Sequence, residues 1–377
     1  MLDKPTKSFQ IILNNSIMNH KIKVNLTQNS RLASLDFNNI PFGRTFSDHM
    51  FVADYINGEW TNLEVRPFGN LTLHPANMGI HYGQSIFEGM KASKMQDGTP
   101  ALFRCEMHSK RINASATRMS MPEIPEDLFR QAVEVLVDID RDWIPPTEGS
   151  SLYVRPFMYA TDEFLGVRPS TTYKFVIITG PVGSYYSKPV TLWAEEKYIR
   201  AAQGGTGEAK SAGNYAGSLF PTRLANEQGY DQLLWLDAQN HKLVQEAGTM
   251  NLMFVIDGNV ITAPTDGTIL KGITRDTILK LLPDLNIAYE VRDLSIDEIV
   301  EAYHAGTLQE VFGCGTAAVV SHVSEVTYRD LTMTLSPVSE RRIGNLLKKT
   351  IDKMRTGEID DRYGWVQPVK STHLVEA

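Results

Sequence analysis

Lys210 is the residue of this chain best placed to form a covalent bond with a carbonyl compound. It lies within Gly204 to Gly217, where glycines and other small residues surround one lysine and one tyrosine, Tyr215. Small residues let the backbone approach a flat ligand closely, and a lysine in a partly desolvated pocket can form an imine with a carbonyl carbon. Many lysines in glycine-rich loops are simply solvated, so this segment alone leaves both interpretations open.

Glu246 is a candidate for a second part of such chemistry. Pyridoxal phosphate is a carbonyl cofactor that binds lysine in this way, and its ring accepts electrons best while a carboxylate keeps the ring nitrogen protonated. Glu246 precedes the apolar segment Leu252 to Ile256, where an unpaired carboxylate would be costly to bury. A charge at a solvent-facing turn explains the same segment equally well.

Two glycine turns could bind the phosphate of such a cofactor. A helix N-terminus offers backbone N–H groups to an anion, and Gly272 and Ile273 precede a helix predicted from Thr274 to Leu282. A second turn, from Gly313 to Ala317, adds the hydroxyl of Thr316. A tight turn without a ligand is the alternative at both places.

The predicted strand from Leu152 to Tyr159 could bind a substrate acid group. Side chains alternate along a strand, so Tyr153, Arg155 and Phe157 lie on one face of it. Arginine pairs with carboxylates through two parallel hydrogen bonds, although a structural ion pair is an equal alternative. The histidines lack metal-ligand spacing with other donors, and we predict no metal site.

Composition excludes several classes of function. A chain of 377 residues with 42% hydrophobic content can bury a large core and favours two domains. The net charge of −7, without long blocks of like charge, argues against nucleic acid as a partner. Two cysteines, Cys105 and Cys314, are too few for a disulfide framework and fit the cytoplasm. The apolar runs are far too short for a membrane helix.

The periodicity mixes helices and strands and predicts an α/β or α+β protein. Turn residues at 180–183 and 187–189 mark a domain boundary. Ser295 and Glu298 have capping-box spacing and predict the start of a helix. The other predicted elements are a helix at Glu126 to Trp143, strands at Tyr173 to Thr179, Gln232 to Leu236 and Leu252 to Ile256, and a hairpin turn at Asp257 to Asn259. The helix is predicted to be amphipathic and to pack on a sheet through one apolar stripe, which consists of Leu128, Phe129, Ala132, Val133, Leu136 and Val137.

Taken together, these segments resemble the branched-chain-amino-acid aminotransferases, which are fold-type IV pyridoxal-phosphate-dependent enzymes. The resemblance extends from about Phe42 to about Trp365, and several motifs occur in the order found in the family. They are FGRTFSDHM at 42–50, NLTLHPANMGIHYGQSIFEGMKA at 70–92, SLYVRPFMYAT at 151–161, GGTGEAKSAGNYAGSLF at 204–220, VQEAGTMNLMF at 244–254, ILKGITRD at 269–276 and FGCGTAAVV at 312–320.

The resemblance implies a role for each residue of the cofactor site. Lys210 looks like the Schiff-base lysine that also shuttles a proton during the ping-pong reaction, and it is the only residue expected to be catalytic. Tyr215 is expected to hydrogen-bond the ring oxygen, and Glu246 to face the ring nitrogen. The remaining cofactor contacts implied by the resemblance come from Arg111, Leu270, Gly272, Ile273, Thr274 and Thr316.

The resemblance also implies a substrate pocket that accepts L-leucine, L-isoleucine, L-valine and L-glutamate, with 2-oxoglutarate as the amino acceptor. Arg155 resembles the residue that pairs with the distal carboxylate of glutamate. Thr249 and Ala317 are expected near the α-carboxylate. The apolar and aromatic wall is expected to include Phe46, Tyr82, Phe87, Tyr153 and Tyr185.

The organisation implied by the resemblance is a homodimer of two-domain chains. An N-terminal extension and lead-in (1–41) precede a smaller α/β domain (42–182). A loop (183–192) then joins it to a larger cofactor-binding domain (193–377). One feature departs from mammalian members, which carry a redox-active CxxC where this chain has Ala318 and Ser321, so thiol control at that place is not expected.

Three alternatives make different predictions. A D-amino-acid aminotransferase or an aminodeoxychorismate lyase would share the lysine and the phosphate site, but the YVRP and HYGQSIFEGMKA segments argue against both. A non-catalytic binding protein with this fold would lack Lys210 or Glu246, and both are present. A nucleotide-dependent oxidoreductase should show a strand, a GxGxxG turn and a helix in succession, and no such unit occurs.

Overall fold

The computed structural model describes the backbone of residues 7–11, 20–183, 188–248, 250–371 and 374–376. The chain divides into two compact units, the first formed by Met1–Tyr185 with Lys353–Ala377 and the second by Tyr186–Asp352. Both units combine helices and strands, which confirms the predicted mixed α/β class. Within the described residues, no helix is long and apolar enough to cross a membrane.

The first unit is built on one large and mostly antiparallel sheet. In the described residues this sheet has eleven strands in the order β19-β7-β6-β8-β9-β3-β4-β2-β1-β20, and β5 pairs with β8. Its elements are β1 Lys7–Ile11, β2 Lys23–Leu26, β3 His49–Ile56, β4 Glu59–Pro67, α1 Met78–Tyr82, β5 Ser85–Phe87, β6 Met90–Lys94, β7 Pro100–Phe103, α2 Cys105–Arg118, α3 Glu126–Ile139, β8 Ser151–Ala160, β9 Tyr173–Val182, β19 Val366–Pro368 and β20 Leu374–Glu376.

Helix α3 packs its apolar stripe against this sheet. The six residues predicted for the stripe are all fully buried and share one core with Phe51 and Phe175 of the sheet. Burying a large apolar side chain contributes about 1.5–3 kcal/mol, so this stripe fixes α3 on the sheet. The stripe consists of Leu128, Phe129, Ala132, Val133, Leu136 and Val137.

The second unit is a nine-stranded sheet, counted over the described residues, with the order β12-β11-β10-β17-β16-β13-β14-β15 and β18 beside β17. Its core includes the buried face of α6. Its elements are β10 Val190–Glu195, α4 Ala212–Glu227, β11 Gln232–Leu236, β12 Val244–Ala247, β13 Met250–Ile256, β14 Asn259–Thr262, α5 Ile273–Asp284, β15 Tyr289–Val291, α6 Ile296–His304, β16 Leu308–Gly315, β17 Val319–Tyr328, β18 Leu331–Thr334 and α7 Ile343–Arg355, whose last residues belong to the first unit.

Local signals predicted seven of these elements, namely α3, β8, β9, β11, β13, α5 and α6. Ser295 caps α6 by accepting a hydrogen bond from the backbone N–H of Glu298 at 3.1 Å. Asp257 and Gly258 turn with φ of 52° and 77°, as the predicted hairpin between β13 and β14 requires. Helix α5 begins and ends within two residues of its predicted bounds.

Four boundaries differ from the prediction. Helix α3 ends at Ile139 instead of Trp143, because Asp140 leaves the helical conformation, with φ of −100° and ψ of 26°, and a 3-10 turn follows at Arg141–Trp143. Strand β9 continues through the expected turn to Val182, because β8 pairs with it along its full length and the missing side chain of Gly180 admits the backbone of Thr45. The predicted extension contains strands β1 and β2, which join the first sheet. Residues from 353 onward belong to the first unit instead of a larger second one, because Val366 pairs with Phe103 of β7.

Candidate active site

Lys210 ends the loop that leads into α4, and Tyr215 lies in the first turn of that helix. The Lys210 Nζ lies 2.9 Å from the Tyr215 hydroxyl oxygen. Asn214 fixes the loop, because its Nδ2 donates hydrogen bonds to the carbonyl oxygens of Thr206 and Ala209, each at 2.8 Å. The glycine-rich segment therefore brings one amine and one phenol together.

Glu246 lies within β12 and is only 3% exposed, so the interpretation as a solvent-facing turn charge is wrong. The Arg200 Nε lies 2.6 Å from the Glu246 Oε2. The Oε1 atom accepts hydrogen bonds from the Asn251 Nδ2 at 2.8 Å and the Leu270 N–H at 3.2 Å. These partners offset the cost of burying a carboxylate.

Sequence reasoning missed Arg200 and Asn251 as partners of this carboxylate. Each stands close to a motif, Arg200 ten positions before Lys210 and Asn251 five positions after Glu246. One general argument could have indicated such partners. An unpaired carboxylate is costly to bury, so a buried Glu246 requires a cation or an amide nearby. The sequence does not say which of the 37 Lys and Arg residues supplies it.

One small cavity, of about 20 Å³, is lined by the partners of both Lys210 and Glu246. The phenol that receives the Lys210 hydrogen bond and the Glu246 carboxylate thus face the same space. The lining residues are Arg200, Asn214, Tyr215, Ser218, Glu246, Gly248 and Leu270.

The N-terminus of α5 lies in the same unit. Ile273 is the first residue of α5, and its N-cap residue is Gly272, in an extended conformation. A Cβ atom at Gly272 would come within 1.9 Å of the Asn251 Oδ1, so only glycine fits beside the group that bonds Glu246. The first N–H groups of a helix have no acceptor within it, which suits an anion.

The second predicted glycine turn is shifted along the chain. Gly313 and Gly315 belong to strand β16, and the turn itself comprises residues 316–318. Thr316 and Ala317 therefore lie in the turn as predicted. Val319 follows the turn as the first residue of β17, and its φ is 63°. A β-branched residue in this region is strained, by about 1–3 kcal/mol, and such strain is often found at functional sites.

In the first unit, β8 places Arg155 among aromatic rings. Its Nη2 donates a hydrogen bond to the Tyr153 hydroxyl at 2.9 Å, and its guanidinium carbon lies 4.7 Å from the centre of the Phe87 ring. The Arg155 Nε is buried without a hydrogen-bond partner among the described residues. A Cβ atom at Gly89 would lie 2.1 Å from the Tyr153 hydroxyl, which explains the glycine there.

Other predicted pocket residues have different surroundings. Phe46 stacks on Phe68, with the ring centres 5.0 Å apart. Tyr82 ends α1 and is exposed. Tyr185 and Thr249 lie outside the described residues. Arg111 lies on α2, where Glu88 binds its guanidinium. Within the described part of the chain, no group of three or more His, Cys, Asp or Glu residues could hold a metal ion.

Comparison with known proteins decides the family. The family model for amino-transferase class IV matches residues 85–326. Branched-chain-amino-acid aminotransferase 2 of Bacillus subtilis (strain 168) is 43% identical to this chain over 352 residues, which cover 92% of this chain and 97% of the relative. The chain belongs to the class IV amino-transferases, among the branched-chain-amino-acid aminotransferases. It is therefore a transaminase.

Solved structures of this family share the fold. A branched-chain aminotransferase from Thermoproteus uzoniensis, in complex with norvaline, has a TM-score of 0.71 at 22% identity and covers 85% of this chain and 100% of its own. A branched-chain amino acid aminotransferase from T.th., complexed with N-(5′-phosphopyridoxyl)-L-glutamate, has a TM-score of 0.68 at 27% identity and covers 84% of this chain and 98% of its own. The chain thus has the fold of the class IV amino-transferases.

Proposed function

We propose that this transaminase uses pyridoxal 5′-phosphate to transfer the amino group reversibly from L-leucine, L-isoleucine or L-valine to 2-oxoglutarate. The observation that carries the proposal is the hydrogen bond between the Lys210 Nζ and the Tyr215 hydroxyl, beside a cavity that the buried Glu246 also lines. The name of the Bacillus subtilis relative supports the amino acids, and the ligand of the T.th. enzyme supports the cofactor.

The donor set of the second unit fits this cofactor. When bound, pyridoxal phosphate supplies a carbonyl group and an electron-accepting ring. Lys210 holds the cofactor covalently and moves the proton at the substrate Cα. Tyr215 orients the ring oxygen through its hydroxyl. Glu246 places a negative charge at the ring nitrogen, and Arg200 and Asn251 hold that carboxylate in place.

The cofactor phosphate is assigned to donors of three kinds. The N-terminus of α5 offers the N–H groups of Ile273 and Thr274, and a helix N-terminus favours an anion. Thr316 adds a hydroxyl from the turn after β16. Arg111 adds a guanidinium, which matches phosphate geometry through parallel hydrogen bonds. Leu270 and Gly272 complete the set through their backbone.

Arg155 is assigned to the distal carboxylate of glutamate. Its Nε is a buried donor without a partner among the described residues, and such a donor costs free energy until an acceptor arrives. The rings of Phe87 and Tyr153 beside it suit a branched aliphatic side chain. Phe46, Tyr82 and Tyr185 remain predicted members of this pocket, and Thr249 and Ala317 remain predicted at the α-carboxylate.

We further propose a homodimer in the cytoplasm. The loop between β8 and β9 exposes three large apolar side chains, and exposed apolar clusters typically mark an interaction surface. Val167 is 90% exposed, and Phe164 and Leu165 are also exposed. Two free buried cysteines, Cys105 and Cys314, suit a reducing compartment.

An absorbance spectrum of the purified protein with pyridoxal phosphate tests the proposal. We expect a visible band of the bound cofactor that L-leucine converts and 2-oxoglutarate restores. Lys210→Ala should lose this band, and transamination should fall by at least about 10²–10⁴-fold, the usual contribution of a positioned acid–base group. Lys280→Ala, on the exposed side of α5, is the matched control and should behave like the wild type.

Two outcomes would overturn parts of the proposal. If no band forms with pyridoxal phosphate, or if Lys210→Ala keeps the wild-type spectrum and rate, the assignment of the cofactor to Lys210 fails. If D-amino acids alone change the spectrum, the fold and cofactor stand, and the substrate assignment gives way to that of a D-amino-acid aminotransferase.

A further inference from the structure

Glu88 is a carboxylate that the proposed mechanism does not use, although it is completely buried. It lies between β5 and β6, with 0% of its surface exposed. Its Oε1 accepts a hydrogen bond from the Arg111 Nε at 2.7 Å, and its Oε2 accepts one from the Arg111 Nη2 at 2.8 Å. Two parallel hydrogen bonds of this kind fix the plane of a guanidinium as well as its position.

Two further contacts fix the Glu88 carboxylate itself, and a third fixes the backbone of this residue. The Nδ1 of His108, three positions before Arg111 on the same face of α2, lies 2.7 Å from the Glu88 Oε2. The N–H of Gly89 donates to the same oxygen at 3.2 Å. The backbone N–H of Glu88 donates to the Pro156 carbonyl oxygen of β8 at 2.8 Å. The carboxylate is therefore held from the sheet and from the helix.

The Glu88 carboxylate favours its charged form although it is buried. Burial alone would raise the pKa of Glu88, but the positive charge and hydrogen bonds of Arg111, together with His108, keep that pKa well below its usual range. A buried ion pair adds little to stability compared with apolar residues of similar volume. Fold stability alone therefore does not explain a charged pair at this place. A need to hold the Arg111 guanidinium in one orientation does explain it.

We propose that Glu88 is a positioning residue for the phosphate of the cofactor, acting through Arg111. The inference rests on the proposed function, in which Arg111 binds that phosphate. Glu88 holds the Nε and Nη2 atoms of Arg111 and so sets the direction in which the guanidinium meets an anion. Its neighbours Phe87 and Gly89 contact Arg155 and approach Tyr153, respectively.

The test compares two ligands that differ only in the phosphate. The dissociation constants of pyridoxal 5′-phosphate and of pyridoxal are measured by absorbance and fluorescence titration, and their ratio is compared between variants. Glu88→Gln keeps the shape of the side chain but removes its charge. We expect it to weaken binding of the phosphorylated ligand by about 10–100-fold, as is usual when a residue supporting a bound ion's ligand is removed, and to leave pyridoxal binding unchanged.

Two other variants separate positioning from general damage. Asp140 is buried in the same unit and binds the His49 Nδ1 at 2.7 Å, so Asp140→Asn breaks a comparable pair elsewhere. It should lower the melting temperature without changing the ratio of dissociation constants. Glu88→Asp keeps the charge on a shorter side chain and should give a smaller loss with the same phosphate dependence, which keeps the test valid if Glu88→Gln does not fold.

The possible results lead to distinct conclusions. An unchanged ratio in both Glu88 variants, or an equal weakening of both ligands, overturns the positioning role. The variant Arg111→Gln shows whether the positioning role of Glu88 fails by itself or whether the proposed binding of phosphate by Arg111 is wrong. If the wild type has the same ratio as Arg111→Gln, then Arg111 does not bind the phosphate, and the underlying assignment is wrong regardless of Glu88.

Discussion

Arg200 and Glu246 form a buried ion pair in which the Arg200 Nε lies 2.6 Å from the Glu246 Oε2 and both side chains are less than a tenth exposed. Arg200 also donates a hydrogen bond to the Thr268 carbonyl oxygen at 2.7 Å. We expect Arg200→Gln to lower the free energy of unfolding by about 3–5 kcal/mol, because it leaves the Glu246 charge buried without its cation. Urea unfolding followed by tryptophan fluorescence measures this loss.

The matched control is the exposed pair formed by Arg223 and Glu227 on α4, whose nearest charged atoms are 3.8 Å apart. Arg223→Gln makes the same chemical change, and we expect it to cost no more than about 1 kcal/mol. Equal losses in the two variants would contradict a special role for burial at Glu246.

The two cysteines should be unreactive in the folded protein. Both thiols are free and buried. Burial raises the pKa of Cys314 to about 12 and that of Cys105 even further, and the thiolate is the form that reacts. We expect a disulfide reagent at neutral pH to label neither residue in the native protein, and both after unfolding in guanidinium chloride.

Val291→Cys provides a positive control for this labelling, because Val291 is 46% exposed and lies outside the proposed dimer interface. It should add one rapidly labelled thiol in the native state. Native wild-type protein that reacted as fast as unfolded protein would show that Cys105 or Cys314 is accessible.

Patterns within a single element predicted structure well. The stripe on α3, the cap at Ser295 and the hairpin at Asp257 all depend on residues a few positions apart. The hydrogen bond between Lys210 and Tyr215 also depends on residues close in sequence, since one loop and one helical turn bring the two together, although this bond was not predicted from the sequence.

Features that depend on distant segments could not be predicted in this way. The partner of Glu246 is Arg200, which lies on another segment of the chain, and any of many basic residues could have filled that place. Val366 joins the first sheet by pairing with Phe103, and a short strand of three residues carries no periodic signal for this. Glu88 stood in a recognised motif, yet its role became visible only through its contacts with Arg111.

The proposed homodimer makes a prediction for the exposed loop between β8 and β9. Burying a valine side chain is worth about 1.5–3 kcal/mol, so Val167→Asp should raise the dimer dissociation constant by at least about tenfold. Analytical ultracentrifugation over a range of concentrations measures this shift. Val291→Asp, at another exposed valine in β15, should leave the dissociation constant unchanged, and an equal effect of both changes would argue against this loop as the interface.

His322 should make the folded protein less stable in mild acid. Its Nε2 lies 3.0 Å from the Asn345 Oδ1, and a Cβ atom at Gly344 would lie 2.7 Å from its ring. Burial lowers the pKa of His322 below its ordinary value of 6.5, and the charge of Arg341 lowers it further, against the opposing effects of Asn345 and Glu310. The folded protein therefore favours the neutral ring.

The sign of the effect follows from linkage between proton binding and folding. The unfolded chain takes up a proton at His322 near pH 6.5, before the folded chain does, so the contribution of the neutral ring is complete above that pH and is lost as the pH falls through the lower folded pKa. We expect the free energy of unfolding, from urea titrations between about pH 7.5 and pH 5, to fall less steeply in His322→Gln than in the wild type. His304→Gln, at an exposed histidine in the last turn of α6, should keep the wild-type slope. Equal slopes for all three proteins would mean that groups other than His322 govern stability in this range.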